Sequence, residues 1–299
     1  MAPANFRPIF PATTKDRFRS PSAGLGPLLK DSFALPTLLV LGGLGQAAAS
    51  FILPSSYALL PLLFLLLRAV ILTVRDIRSP AEYAARRNVI SERFSAQLPN
   101  DSYDPTRPDK AALFGTTPAE KGVVAFHLGA RFNHPLGALG PGSKEFAQQF
   151  QACHRDLLKR AKEYGCLSGT SYRSDDAASH NTIMTVYYFR NLDGLNRFAH
   201  DPIHRQAWDW YNKVFVKEWG YSHIGIFHEA FCAPAGAYET IYVNMPPLLM
   251  ASGSASIRNE ATGEDEWVRT VVDATTPAFR TQHSRMGREV KRQSEAEKN

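Results

Sequence analysis

The chain has 299 residues, 34 Lys and Arg against 28 Asp and Glu, and a formal net charge of +6. That length allows one medium domain or two small ones. The modest basic excess gathers at the ends, in Arg7, Lys15, Arg17, Arg19 and Lys30 and again in Arg280, Arg285, Arg288, Lys291 and Arg292. Such flanks suit an anionic membrane face, and with neither zinc-finger spacing nor an aromatic–basic signature no nucleic-acid partner is expected. The three cysteines, Cys153, Cys166 and Cys232, are scattered without a CxxC. This argues against a disulfide framework and favours a reducing compartment.

Residues 33–74 read as a two-limb membrane hairpin. The first limb, Phe33 to Leu53, carries no charge and is about long enough to cross a bilayer, although Gly42, Gly43, Gly45 and Gln46 weaken it. Pro54, Ser55 and Ser56 break the run. The second limb, Tyr57 to Val74, contains Arg68, close enough to the exit to snorkel. The apolar region starts too late, and is doubled, for a cleaved signal peptide. Basic residues precede the first limb and Arg75, Arg78, Arg86 and Arg87 follow the second, so both ends are expected on the cytosolic side. The competing reading is a pair of buried core helices. The expected organisation is a basic N-terminal segment (1–32), the hairpin (33–74), a connector (75–120), a catalytic domain (121–247) and a polar C-terminal extension (248–299). In the connector, a short amphipathic helix starts at Glu82 and a Pro/Asp-rich loop ends at Lys110. Patterning fades after Met245, and from about Thr275 the tail reads as disordered or loosely helical.

Within 121–247, KGVVAFHLGARF alternates as a strand. Ser143 to Tyr164 repeats apolar residues at helical spacing, with Gly165 as its stop. GTSYRS (169–174) is a second strand, Asp175 to His180 a turn, and the β-branched, aromatic run 181–190 a third strand. Asn191 to Trp219 is helical, with a break signalled at Asp201–Pro202. SHIGIFHEAF is the fourth strand, and YETIYVN (238–244) a fifth or an arm. The order β-α-β-β-α-β predicts an α+β, ferredoxin-like domain with two helices on one sheet face. The other face, expected to carry Phe126 and Phe132, cannot stay bare in water. A face-to-face homodimer, a dimeric α+β barrel, is the simplest cover; the membrane or the connector is the alternative.

His200, His204 and Trp208 recur at i, i+4, i+8 and share one helix face. Asp201 and Pro202 suit a helix start, and a histidine near it is held neutral by the dipole. A neutral imidazole serves as a base or an iron ligand. On the fourth strand His228 and Glu229 are adjacent, so they point to opposite faces and form no dyad. On the first strand His127 shares a face with Arg131. Each of these residues also has a plain reading as a packed or hydrogen-bonded core group. HxxxH without a third ligand is weak metal evidence. GxSxG, P-loop and GxGxxG patterns are absent, which disfavours serine-hydrolase, nucleotide-hydrolase and NAD- or FAD-binding readings.

RFAHDPIHRQAWDWYN followed by HIGIFHEAFCAPAGAYETIYVNMPP resembles the monooxygenase-like family of fungal secondary metabolism, of fumagillin-pathway type. The resemblance spans roughly Gly122 to Pro247. That family is similar to antibiotic-biosynthesis monooxygenases and to haem-containing aldoxime dehydratases on dimeric α+β barrels. The resemblance implies a membrane-tethered monooxygenase, acting with O2 on a hydrophobic terpenoid or polyketide at the endoplasmic reticulum, its soluble domain cytosolic. His200, His204, His228, Glu229 and Trp208 are the candidate catalytic residues, and His127, Phe227, Tyr238 and Glu239 the candidate substrate contacts. The first expectation uses no cofactor: a neutral histidine removes a proton and the carbanion passes an electron to O2. The alternative is a haem enzyme with His200, His204 or His228 as the iron ligand. A third expectation is a non-catalytic membrane partner of a pathway P450.

Overall fold

The computed structural model describes residues 6–15, 33–174 and 181–288. The turn expected at 175–180, most of the basic N-terminal segment and the last eleven residues of the tail, 289–299, lie outside the described residues. The chain divides into two compact units, Ser22–Val89 and Met1–Pro21 with Ile90–Asn299.

The smaller unit holds helices α1 (Leu35–Ile52), α2 (Leu60–Arg78) and α3 (Pro80–Arg86). Each opens with a proline in its first turn, where the missing N–H costs nothing. By length and composition α1 is apolar enough to cross a membrane, and among the described residues it is the one helix that meets this criterion. Its large side chains are uncovered, Phe51 being 91% exposed. Two of its polar side chains are hydrogen-bonded to backbone carbonyls. Gln46 Nε2 donates to the Ala58 carbonyl at 2.9 Å and Ser50 Oγ to the Gln46 carbonyl at 3.0 Å. In the last turns of α2, Asp76 accepts from Arg86 of α3 at 2.6 Å, so part of the basic cluster there is paired.

In the larger unit, short strands β1 (Phe94–Ala96) and β2 (Ser102–Tyr103) precede β3 (Val123–Phe132). Then follow α4 (Ser143–Lys159), α5 (Ala161–Tyr164), β4 (Cys166–Arg173) and β5 (Thr182–Phe189). Helices α6 (Leu192–His200) and α7 (Pro202–Trp210), a π-helix (Tyr211–Glu218) and β6 (Ile224–Ala233) complete the motif. The sheet runs β4-β5-β3-β6, antiparallel throughout. The first and third strands of the β-α-β-β-α-β unit are therefore central, the ferredoxin-like arrangement.

One expectation about the faces is reversed. Val124, Phe126, Ala130 and Phe132 point toward the helices: Val124 and Phe126 pack with Leu157, Tyr187 and Phe198, and Ala130 and Phe132 with Phe215 and Ile224. The opposite face carries Ala125, His127, Gly129 and Arg131. That face is not bare along its whole length. Val123, Leu167 and Tyr188 are covered by Phe94, Leu98, Met250, Ala251 and Tyr242 of the same unit. The connector thus contributes to the cover, as one of the expected alternatives had it.

A second correction concerns the C-terminal region, expected to be polar and unpatterned. It folds into β7 (Ser254–Asn259), β8 (Asp265–Arg269), β9 (Val271–Asp273) and α8 (Gln282–Arg285). β2-β7-β8 form a sheet and β9 pairs with β1. Phe6 and Phe114 join Ile257, Val268, Val272 and Phe279 in a separate core. The buried positions of this region include Asn259 and Thr270, whose side chains are bonded inward. Thr270 Oγ1, for example, donates to the Met250 carbonyl at 2.6 Å. Residues 238–244, expected to be a strand or arm, contribute a single bridge, Phe94 to Tyr242.

The start of α6 gives a test. Asn191 Oδ1 caps it by accepting from Gly194 N at 2.9 Å, and a Cβ at Gly194 would lie 1.9 Å from the Tyr164 carbonyl oxygen. Because that obstacle is backbone, Gly194→Ala is expected to cost about 2 kcal/mol, and Asn191→Ala about 1 kcal/mol. Urea unfolding at constant m-value measures both.

Candidate functional site

The site is built from the two helices that cross the sheet and the strand surface beneath them. Helix α6 buries Leu195 and Phe198 and stops at Asp201, whose backbone is extended and whose successor is proline. Asp201 then starts α7: its Oδ1 accepts from Ile203 N at 3.0 Å. Its Oδ2 accepts from Arg160 at 2.6 Å and from the Tyr164 hydroxyl at 2.8 Å. Burial opposes this charge, but the Arg160 and Tyr164 bonds prevail and hold the carboxyl below its usual range.

This break separates His200 from His204. The expectation that His200, His204 and Trp208 share one helix face is corrected, because His200 ends α6 while the other two lie on α7. His200 is exposed, with Nδ1 2.8 Å from the Asn196 carbonyl oxygen. Trp208 is also largely exposed and stacks on Tyr211, centroids 6.0 Å apart. His204 is half-buried against Phe198 and places Nδ1 3.0 Å from the Ala199 carbonyl oxygen. A nitrogen facing a carbonyl carries the proton, so the neutral ring keeps its lone pair on Nε2. Burial, more than any other cause, pushes the His204 pKa down; the Ala199 bond opposes it and nearby His228 adds to it.

His228 extends from β6 on the helix-facing side and packs on Phe126 at 5.7 Å between ring centroids. Glu229 emerges on the other face, opposite His127 in register. There His127 Nδ1 lies 3.8 Å from Glu229 Oε2 and its ring 5.4 Å from Phe231. Phe227 lies over Gly129, where a Cβ would meet its ring at 2.2 Å. Tyr238 packs into the second core with its hydroxyl buried, and Glu239 is ion-paired with Arg285. Of the nine candidates, the fold therefore brings His204 and His228 into one layer. It gathers His127, Phe227 and Glu229 on the opposite face and ties Glu239 into an ion pair.

The sequence reading missed a second pair in the helix–sheet layer. His154 of α4 is 5% exposed and its Nδ1 lies 2.7 Å from the hydroxyl of Tyr187, itself 2% exposed. Two residues back on the same strand, Thr185 Oγ1 lies 2.8 Å from Ser171 Oγ. Gly169 makes room: a Cβ there would meet Tyr187 Cε1 at 2.7 Å and His154 Cε1 at 3.6 Å. Burial lowers the His154 pKa and raises that of Tyr187. Phe126 touches both Tyr187 and His228, so the two pairs line one aromatic seam. The missed signal was a histidine four residues after Phe150 and three before Leu157, on the apolar stripe of a helix.

Residues 123–250 match the family model described as monooxygenase af470-like. A curated relative, "Monooxygenase af470" of Aspergillus fumigatus, is 33% identical over 285 residues, covering 95% of this chain and 98% of its own. The chain belongs to the monooxygenase af470-like family. Family membership makes it a monooxygenase-type oxidoreductase. Among solved structures, an aldoxime dehydratase in complex with butyraldoxime is 18% identical at a TM-score of 0.35, over 44% of this chain and 40% of that one. SnoaB, a cofactor-independent oxygenase from Streptomyces nogalater, is 14% identical at a TM-score of 0.27, over 36% of this chain and 90% of its own. The segment matched to the family contains all four groups of the layer, His154, Tyr187, His204 and His228. Among the described residues no group of three or more His, Cys, Asp or Glu is placed to hold a metal ion.

The imidazoles of buried His154 and half-buried His204 make stability depend on pH. Both have folded-state pKa values below the ordinary 6.5. As pH falls through that value the unfolded chain takes up protons that the folded chain resists, so stability declines on the acid side. Urea midpoints should be lower at about pH 5.5 than at about pH 7.5, and His154→Gln combined with His204→Gln should flatten the dependence.

Proposed function

We propose that this enzyme inserts oxygen from O2 into a hydrophobic terpenoid or polyketide intermediate, with the helix–sheet layer as its site and His204 as the general base. One observation carries the assignment. His204 is a half-buried imidazole with Nδ1 held on a backbone carbonyl, which leaves the Nε2 lone pair to accept a proton. A base of this strength suits a substrate with an acidic C–H, such as a methylene between aryl and carbonyl groups.

The chemistry then balances without an added reductant. Nε2 takes one proton from the CH2 group, and the carbanion gives one electron to O2. The two radicals combine into a C–O bond, leaving a peroxide anion. That anion is protonated, and loss of water from the hydroperoxide yields a ketone, so CH2 and O2 become C=O and H2O. His204 returns its proton in the second half. Tyr187, bonded to His154, supplies a fixed hydroxyl dipole in the same layer. The apolar helix α1 supports tethering to a membrane, which we assign to the endoplasmic reticulum with the catalytic unit cytosolic. A greasy substrate would reach the enzyme from the phase in which it dissolves.

The anchoring of His204 also favours a second reading. An imidazole whose Nδ1 is tied to a carbonyl presents Nε2 as a ligand, so His204 would hold a haem in preference to exposed His200 or His228. Haem bound there would supply iron-centred oxygen or dehydration chemistry. An absorption spectrum of detergent-purified protein separates the two readings, since only the haem form has a Soret band.

With a hydroxyanthrone as probe under labelled O2, the proposed reaction places one labelled oxygen in the quinone product. His204→Ala should lower kcat by about a hundredfold or more, while the exposed His200→Ala should leave it near the parent rate. Retained activity in the His204 variant would refute the assignment of the base.

A further inference from the structure

A cleft lies at the far end of the helix that carries His204. Helix α7 runs without interruption into the π-helix, in which Trp219 N donates to the Val214 carbonyl, five residues back, at 2.8 Å. π geometry over eight residues is rare, and where it occurs it is concentrated at functional sites. The turn that ends it places Gly220 at φ +69°, and Tyr221 N donates to the Phe215 carbonyl at 3.1 Å. Trp219 and Tyr221 flank that glycine with ring centroids 5.8 Å apart and planes at 66°. Fully buried Phe215 supports both, at 6.1 and 5.4 Å. Facing the rings is the first turn of α4. Gly142 takes φ +73° there, and a Cβ on it would meet Phe215 at 2.6 Å and Tyr221 at 2.9 Å.

Gly142, Glu145, Trp219 and Tyr221 line a cleft of about 420 Å³, a volume typical of small-ligand sites. Trp219 is 40% exposed, so an indole that could have packed elsewhere is presented to the cleft. The Glu145 side chain is half-buried and takes part in no ion pair among the described residues. No Lys or Arg lines the space.

We propose that this cleft binds a small organic cation of the quaternary ammonium class, held between the faces of Trp219 and Tyr221 and balanced by Glu145. The ring faces are the negative ends of their quadrupoles, and paired aromatic walls suit a weakly hydrated, methylated nitrogen. A metal ion fits less well, because one carboxylate cannot replace its shell of oxygen ligands. An anion fits less well too: the first-turn carboxylate already offsets the positive end of the α4 dipole and would repel it.

Calorimetric titration of the full-length protein with choline chloride tests this, with choline's neutral isostere, carbon in place of nitrogen, as the control. Saturable binding of choline but not of the isostere is expected. Trp219→Leu should weaken it about tenfold, the loss of one partly desolvated cation–π contact. Because Trp219 also touches Trp210 and Phe215, its loss could disturb the fold. Glu145→Gln, with an unchanged melting temperature, is the second variant and should weaken choline binding several-fold. Equal binding of the isostere would reduce the cleft to an apolar groove. Absence of saturable choline binding, or an affinity that neither substitution alters, would overturn the site.

Discussion

The layer between the helices and the sheet depends on the Asp201 carboxylate. One oxygen caps α7 and the other accepts from Arg160 and Tyr164 at the end of the first helical arm. Arg160 is itself held by Glu163 at 2.6 Å and Asp156 at 3.3 Å. A single buried charge therefore ends α6, begins α7 and ties both to α5. The chain turns at Asp201, and that turn leaves His200 at the surface while His204 enters the layer. A continuous helix would have kept the two histidines on one stripe, where burying one would tend to bury the other.

The same economy shapes the sheet. An antiparallel sheet with helices on one face needs something on the other. Here the segments around Phe94, Tyr242 and Met250 fold back over one end of that face. They are held by the β1–β9 pairing and by Phe6 and Phe279 in the adjoining core. What stays uncovered is the end with His127, Phe227, Glu229 and Phe231, where the apolar rings are partly exposed. The two faces thus differ: His154, Tyr187, His204 and the exposed His228 lie on the helix side, and the His127–Glu229 pair lies on the outer surface.

Much of this was legible in the residues. Strong alternation in 123–132, β-branched and aromatic density in 182–189 and the Gly165 stop gave the ferredoxin-like order, because large apolar side chains mark the buried positions there. The failures have physical causes. Alternation shows that two faces exist but not which of them meets the helices, so Phe126 and Phe132 were assigned to the wrong side. The C-terminal region buries threonine and asparagine whose hydrogen bonds are made inside the fold, and small or polar buried residues leave no hydropathy trace. His154 was passed over because a histidine on an apolar stripe looks polar until its partner, Tyr187, arrives from a strand 33 positions on. The Asp201–Pro202 break was visible, but its consequence for His200 was not, since that depends on Arg160 and Tyr164, far away in sequence.

The contacts in the layer differ in kind. His204 Nδ1 lies 3.0 Å from the Ala199 carbonyl oxygen, and a carbonyl only accepts, so the backbone sets the tautomer of that ring. His154 Nδ1 instead meets the Tyr187 hydroxyl at 2.7 Å, and a hydroxyl both donates and accepts, so the tautomer of His154 follows the orientation of a proton on its partner. The imidazole proposed as the base is thus the one whose proton is placed by the main chain, which a side-chain substitution elsewhere in the layer leaves in position.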